Sequence, residues 1–306
     1  MFRTVIVVSG EKISVKNNWL IIENGNDDTM IPIEDIYSIV IDNIKSNITV
    51  PALTRLTEAG VHLLVCDEKH LPATVILPAS NHYRPLNVLM KQIQMTDNFK
   101  KELWQRIIKQ KILNQARVLK ISGAPKEKYE KMLSYCEEVV PGDEYNREGI
   151  AAKWFFRALY GSEFIRFSND VINDALNYGY TIIRSLVAKV LSAYGYNCVI
   201  GIHHINESNP FNLADDLMEP LRPLVDLWVE KNNEYLVDKL TKDNRQSLIN
   251  LINHVVIINN NKMKLRNAVD RYINSLTTAI NRMDSEALII PQIFEYNEYF
   301  EEDGDD

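Results

Sequence analysis

The apolar periodicity of this 306-residue sequence changes once along the chain, and that change constrains the fold more than any single motif. Up to about residue 78, short runs rich in β-branched residues recur: TVIVVS, KISVKN, WLIIEN, TMIPI, YSIVID, VHLLVCD and ATVILP. Turn-forming clusters such as Asn17-Asn18, Asn24-Gly25-Asn26-Asp27 and Asp67-Glu68-Lys69 separate them, the signature of strands joined by tight turns. Asn17-Asn18 predicts a hairpin, because asparagine tolerates the positive φ that tight hairpin turns demand. PALTRLTEAG interrupts the strands with leucines at helical spacing, Pro51 near its start and Gly60 at its end, and predicts one helix covering a sheet face. Beyond Arg84-Pro85, a pair that favours extended backbone, apolar residues fall three and four apart instead. Helices are predicted over residues 86–120, from Pro125, over IAAKWFFRALYGSEF, over DVINDALNYGYTIIRSLVAKVLSAYG, over VDLWVEKNNEYLV and over QSLINLINHVVIINNNKMKLRNAVDRYINSLTTAINRM, the last divided at Asn259-Asn260-Asn261. The segment ending near Gly195 carries so little charge that it predicts the buried centre of the helical part, with Gly179 letting neighbours approach. The expected fold class is α+β: a small β-rich domain at 1–80, a linker at 81–88, a larger all-α domain at 89–294 and an acidic, disordered tail at 295–306.

The charge distribution bears on partners. The formal charge is −7, but the last twelve residues, EYNEYFEEDGDD, hold seven acidic and no basic side chains, so the remainder is neutral. Within it, residues 81–131 carry twelve Lys and Arg against four Asp and Glu. A local basic surface is therefore available to a polyanion, although such a run equally forms an ordinary solvated helix face. Arg84, Lys100, Lys101, Arg106, Lys109, Lys111 and Arg117 are the candidate phosphate contacts, on a helix read as amphipathic with a basic outer face. Beside Arg84, His82 and Tyr83 are candidates for stacking on a splayed base. Cys66, Cys136 and Cys198 form no CxxC pair and suit a reducing cytoplasm, and no apolar run reaches the roughly 20 residues that span a membrane.

Chemistry concentrates at residues 201–223, GIHHINESNPFNLADDLMEPLRP, where His203, His204, Asp215, Asp216 and Glu219 crowd one short segment between helical patterns. Imidazole with carboxylates is a ligand set for a divalent cation acting on phosphate: oxygen donors suit Mg²⁺ or Mn²⁺, and a histidine shifts the preference toward Mn²⁺ or Zn²⁺. Taken alone, the segment reads as an acidic helix cap beside hydrogen-bonded structural histidines. Glu148, at the start of the aromatic helix, taken alone reads as a charge favouring the positive end of a helix dipole.

Three blocks change that balance. NREGIAAKWFF around Glu148, GIHH ending at His204 and NLADDLMEPLRPLVD around Glu219 together resemble the active-site blocks of the CRISPR-associated adaptation integrase family, the larger, metal-dependent member of the spacer-inserting pair. QKILNQA and LNYGYTIIRS also resemble blocks of the branch that accompanies type II systems. The resemblance implies a CRISPR spacer-acquisition integrase and endonuclease. It would join 3′-hydroxyl ends of captured double-stranded DNA fragments into the leader-repeat of an array. It implies Glu148, His204 and Glu219 as catalytic ligands of Mg²⁺ or Mn²⁺. Asp216, Arg222 and His203 would stand behind them, Asp215 serving as a helix cap. It also implies a homodimer, a complex with a small ferredoxin-like partner and a link to the type II effector nuclease. Two other readings stay open: a stand-alone metal nuclease on branched DNA, and a non-catalytic DNA-binding scaffold.

Overall fold

In the computed structural model, which describes residues 3–25, 27–78 and 82–296, the change of periodicity is a change of secondary structure. The chain divides into two compact units: the residues up to Pro85 with Ser192–Gly195, and Leu86–Leu191 with the chain from Tyr196 onward.

In the first unit, strands β1 (Arg3–Val7), β2 (Lys12–Lys16), β3 (Trp19–Glu23), β4 (Thr29–Pro32), β5 (Ile36–Ile41) and β6 (Asn47–Ile48) precede helix α1 (Val50–Glu58). Strands β7 (His62–Cys66) and β8 (Pro72–Ile76) follow it. They form two four-stranded sheets, ordered β1-β5-β7-β8 and β4-β3-β2-β6. In the first sheet β5 runs parallel to β1 and β7, and β8 is antiparallel to β7. In the second, β2 and β3 make the expected hairpin, with Lys16 paired to Trp19 and φ of 51° at Asn17 and 66° at Asn18. Alternation along the strands sends Ile13, Leu20, Ile39 and Leu63 into one buried cluster with Ala52 and Leu56 of α1. The Thr49 hydroxyl caps α1 by accepting the Ala52 N–H.

The second unit contains helices α2 (Pro85–Ile93), α3 (Asp97–Ile121), α4 (Lys126–Glu137), α5 (Arg147–Tyr160), α6 (Val171–Ala193), α7 (Asn212–Met218), α8 (Arg222–Lys231) and α9 (Lys242–Asn250), apart from the residues of α2 and α6 assigned above. Strands β9 (Val255–Ile258) and β10 (Asn261–Lys264) and helix α10 (Leu265–Arg282) complete it. This region is mostly helical, with one departure from the expected all-α domain: β9 and β10 pair as an antiparallel hairpin. The β-branched VVII run takes the extended form, and Asn259 and Asn260 turn the chain at φ of 49° and 60°. Helix α2 begins inside the segment expected to be a linker, since proline is tolerated at a first helical position. The expectation for the acidic tail falls outside the described residues from position 297 on.

The larger correction concerns α3. Phe99, Leu103, Trp104, Ile107, Ile108, Ile112, Val118 and Leu119 are buried, but so are Lys111, Asn114 and Gln115. Lys101, Arg106, Lys109, Arg117 and Lys120 recur on the one face that is not buried, as an amphipathic helix with a basic outer face requires, so the correction is to Lys111, which lies on the buried side. Helix α6 is internal as expected, and a Cβ on Gly179 would meet Val225 Cγ1 at 2.4 Å.

Candidate functional site

The site is assembled around one buried carboxylate. Asp216, in α7, is fully buried. Its Oδ2 accepts the backbone N–H groups of Ile202 at 2.6 Å and His203 at 3.0 Å, and its Oδ1 accepts that of His204 at 3.1 Å. The same Oδ1 lies 2.6 Å from His204 Nδ1. A carboxylate so engaged only accepts, so Nδ1 carries the proton and Nε2 is left with its lone pair. That hydrogen bond, opposed by partial burial, raises the His204 pKa above its ordinary value. The loop can wrap so tightly because residue 201 is glycine: a Cβ there would lie 2.3 Å from the His204 carbonyl oxygen and 2.8 Å from Asp216 Oδ2. His203 stacks flat on buried Trp104, ring centroids 4.1 Å apart, and Trp104 meets His204 edge-on at 5.8 Å.

Glu219 opens a 3-10 turn, Glu219–Leu221, between α7 and α8. Pro220 and Pro223 are accommodated in first turns, where their missing N–H groups are not needed. The Glu219 side chain is only 5% exposed and is flanked by two cations. Arg222 Nε lies 2.7 Å from Oε1, an ion pair whose N–H is not aligned for a hydrogen bond, and Lys111 Nζ donates to Oε2 at 2.5 Å. Burial works against ionisation of Glu219, but Arg222 and Lys111 outweigh it and bring its pKa down to about 2. Glu148 stands in the first turn of α5, where Asp143 accepts the N–H groups of Arg147 at 2.8 Å and Glu148 at 2.9 Å, and the Asn146 side chain accepts that of Gly149. Lys111 also donates to Glu148 Oε1 at 2.7 Å. Burial disfavours the Lys111 charge, yet Glu219 and Glu148 raise its pKa above the ordinary value.

The three residues singled out as ligands therefore come from three separate segments into one neighbourhood: the carboxylates of Glu148 and Glu219 share one ammonium, and both act electrostatically on His204. The donor chemistry, two carboxylates and an imidazole oriented by a buried aspartate, fits Mg²⁺ or Mn²⁺. As they stand, no group of three or more His, Cys, Asp or Glu among the described residues is gathered tightly enough to hold a metal. An ammonium lies between the carboxylates instead.

Glu148 and Glu219 line a cavity of about 900 Å³. Lys153, Arg157, Arg166, Arg184 and Arg222 give it positive charge, and Phe156, Phe164, Phe167 and Tyr180 give it aromatic walls. At its floor Tyr180 donates its hydroxyl to Asp226, whose pKa burial pushes up to about 7 although that hydrogen bond opposes the rise.

The phosphate-contact residues expected along the basic run fare unevenly. Lys111 is not on the surface at all; it is the buried partner of both glutamates. Arg106 pairs with Glu286 at 2.5 Å and donates to the Leu288 carbonyl, and Arg117 is half-buried, donating to Asn114 and Gln292. Lys101 is exposed but paired with Glu144, while Lys100 and Lys109 are half-exposed. Arg84 is exposed, its guanidinium 5.2 Å from the centre of the Tyr83 ring, and Tyr83 lies beside His82 at 5.0 Å. Asp215 is no cap: it sits inside α7 and accepts from the Asn209 side chain at 2.7 Å. The sequence reasoning missed three residues of the site, Lys111 in its true role, Trp104 and Asn114. Buried Asn114 donates to the carbonyls of Pro220 at 2.6 Å and Pro291 at 3.2 Å and accepts the Ile293 N–H, fastening the residue after Glu219 to α3. The signal available was their place in one helix: Lys111 and Asn114 lie three apart in QKILNQA, on one face.

The profile of the family described as CRISPR associated protein Cas1 matches residues 4–160 and 165–239. The chain is 37% identical over 300 residues to the CRISPR-associated endonuclease Cas1 of Neisseria meningitidis serogroup C (strain 8013), covering 97% of this chain and 98% of that one. Its fold is similar to that of a casposase bound to integration product, with a TM-score of 0.78 and 18% identity, over 100% of this chain and 96% of that one. It is also similar to a chain of a Cas6-RT-Cas1–Cas2 complex, with a TM-score of 0.74 and 19% identity, over 97% of this chain and 36% of the other.

Proposed function

Since the chain belongs to the family of CRISPR-associated Cas1 proteins, we propose that it integrates captured DNA fragments into a CRISPR array. It joins their 3′-hydroxyl ends to the leader-repeat by metal-dependent transesterification and carries an associated DNA endonuclease activity. The observation that carries this reading is the convergence of Glu148, Glu219 and His204 beside a cavity lined by arginines, two lysines and aromatic rings. A polyanionic strand with flat bases is the ligand such walls suit. Lys153, Arg166 and Arg184 bind phosphates and Phe164 and Phe167 stack on unpaired bases, contacts indifferent to sequence, as a protein accepting any fragment requires.

Glu148, Glu219 and His204, the last through Nε2, would hold the divalent ion, Mg²⁺ or Mn²⁺. When bound, the ion supplies Lewis-acid polarisation of the phosphodiester and neutralises charge developing on it. Asp216 keeps the Nδ1 proton in place so that Nε2 stays a donor of its lone pair, and the Trp104 and His203 rings fix the plane of the imidazole. The cavity walls align the attacking hydroxyl with the leaving oxygen. That alignment is most of the work in phosphoryl transfer, so no covalent nucleophile of the protein takes part.

The protein works as a homodimer in complex with a small ferredoxin-like partner and alongside a type II effector nuclease; the similarity to a chain of a Cas6-RT-Cas1–Cas2 complex supports a Cas partner and a multimeric assembly. Its three free thiols suit the reducing cytoplasm. The test is joining of a labelled DNA fragment to a plasmid bearing a leader and repeat, with the small partner and Mn²⁺ present. Glu148→Ala, His204→Ala and Glu219→Ala each abolish joining while the fold, followed by circular dichroism, persists. Retained joining removes that residue from the site. Cleavage of branched DNA without joining under the same conditions favours the stand-alone nuclease, which the name of the Neisseria relative also suits. Absence of both activities favours the scaffold.

A further inference from the structure

Lys111 is 8% exposed, and its Nζ lies 2.7 Å from Glu148 Oε1 and 2.5 Å from Glu219 Oε2. The other Glu219 oxygen, Oε1, faces Arg222. Three of the four carboxylate oxygens that would receive a divalent ion are thus already engaged with cations of the protein. Two carboxylates against one ammonium and one guanidinium make a locally neutral cluster. Adding a dication to it leaves a surplus of two positive charges in a buried place, which is unfavourable unless one of the protein's cations withdraws. Arg222 is the poorer candidate to leave. Its guanidinium also lies 4.7 Å from the centre of the Tyr180 ring, and its charge is stabilised by Glu219 and by the acidic groups of Asp215 and Asp226 beyond it. Among the described residues Lys111 is held by the two glutamates alone, and it is a flexible point charge rather than a planar fork. It also lines the large cavity, which has room for the end of its side chain.

We propose that Lys111 is an internal cation that competes with the divalent ion for Glu148 and Glu219, so that ion loading requires its ammonium to leave the carboxylate pair for the cavity. The inference rests on the metal-site reading given under Proposed function and adds to it a gate made from this chain's own charge. In the cavity the displaced ammonium faces the space where a DNA phosphate enters. Strand and ion therefore favour each other: a phosphate gives Lys111 a new partner and frees the glutamates, and by reciprocity the bound ion strengthens the hold on the strand.

The experiment is Mn²⁺ binding to the full-length protein, followed by electron paramagnetic resonance of the free ion and by calorimetry, without any readout of activity. Four proteins are compared: wild type, Lys111→Met, Lys111→Gln and Glu219→Gln. Methionine keeps the unbranched stem without the charge, and glutamine keeps a polar end should methionine compromise folding. Both Lys111 variants are expected to bind Mn²⁺ at least about tenfold more tightly than wild type, because a competing charge is gone. Glu219→Gln loses the binding. A short single-stranded oligonucleotide tightens Mn²⁺ binding in wild type and does so less in Lys111→Met. Equal or weaker binding in both Lys111 variants, with binding still lost in Glu219→Gln, overturns the inference and leaves the metal-site reading standing; Lys111 then only positions the carboxylates. Binding that is absent throughout, or indifferent to Glu219→Gln, overturns the metal-site reading and the inference with it.

Discussion

Replacing Asp216 by asparagine tests how the loop of residues 201–204 and the imidazole are held, because the four contacts of this carboxylate respond differently. Oδ2 takes two backbone donors, Ile202 at 2.6 Å and His203 at 3.0 Å. An asparagine must place its carbonyl oxygen there, since the amide NH₂ would face two N–H groups. The NH₂ then occupies the Oδ1 position, opposite the His204 N–H and His204 Nδ1. The His204 N–H is left facing a donor, and a hydrogen bond to a charged acceptor is worth about 1.5–3 kcal/mol, so Asp216→Asn is expected to destabilise by about 2–4 kcal/mol in urea unfolding. The ring bond reverses rather than breaks: Nδ1 accepts from the NH₂ and the ring proton moves to Nε2. The ¹⁵N shifts of the His204 ring, read near pH ~9 where a neutral imidazole prevails, should show Nδ1–H in wild type and Nε2–H in the variant. Mn²⁺ affinity falls in parallel, because the nitrogen assigned to the ion has lost its lone pair. An unchanged tautomer in a variant that retains its fold would refute the claim that Asp216 sets the ring.

Asp226 sets a pH dependence of stability. Burial lifts its pKa to about 7 in the folded protein, so between roughly pH 4, its unfolded value, and pH 7 the folded state holds a proton that the unfolded state has released. The stability linked to that proton is complete below about pH 4 and is lost as pH rises through about 7, a change of about 4 kcal/mol. Asp226→Asn should flatten the urea midpoint between pH 5 and 8 by comparison with wild type, ~2–4 kcal/mol of slope being removed; an identical profile would show that Asp226 is already ionised. Asn114→Ala removes the side chain bonded to Pro220, Pro291 and Ile293 and should cost about 2–4 kcal/mol in denaturant, with Glu219 loosened from α3; a loss below 1 kcal/mol on the order expected for a surface site contradicts it. Gly201→Ala places a methyl 2.3 Å from a backbone oxygen and should lower the melting temperature by more than Gly60→Ser, where nothing lies within 4 Å and only the positive φ of 76° is at stake.

The fold was legible where local chemistry and tertiary environment agree. The Asn17-Asn18 turn, the start of α1 around Pro51 and the close approach at Gly179 follow from single residues whose preferences the structure satisfies. The β9-β10 hairpin was not read, because HVVII and the apolar residues around it also satisfy helical spacing, and only the pairing across Asn259-Asn260 separates the two readings. Charge was the least legible property. Lys111 stands in a run of cations between apolar residues, where burial is rare for lysine, and nothing local distinguishes it from Lys109 or Lys120. Its burial is set by Glu148 and Glu219, which arrive from 37 and 108 residues downstream.

The same helix explains why widely separated segments make one site. Lys111 holds the carboxylates of α5 and of the Glu219 turn, Asn114 holds the Pro220 carbonyl one residue further on, and Trp104, two turns earlier, carries the His203 and His204 rings. These three residues lie seven and three positions apart, a spacing that keeps them on one side of a 3.6-residue helix. Glu148, His204 and Glu219 are thus aligned through α3, the two glutamates on the shared Lys111 ammonium and His204 on the Trp104 ring. A substitution at Trp104 should therefore disturb His204 while leaving the Lys111 pairing with the glutamates intact, and one at Asn114 should do the reverse; the two effects add, since the residues share no partner. A double variant that loses markedly more stability than the sum would mean that the imidazole and the carboxylates are coupled directly, and that α3 is not the scaffold on which the site is built.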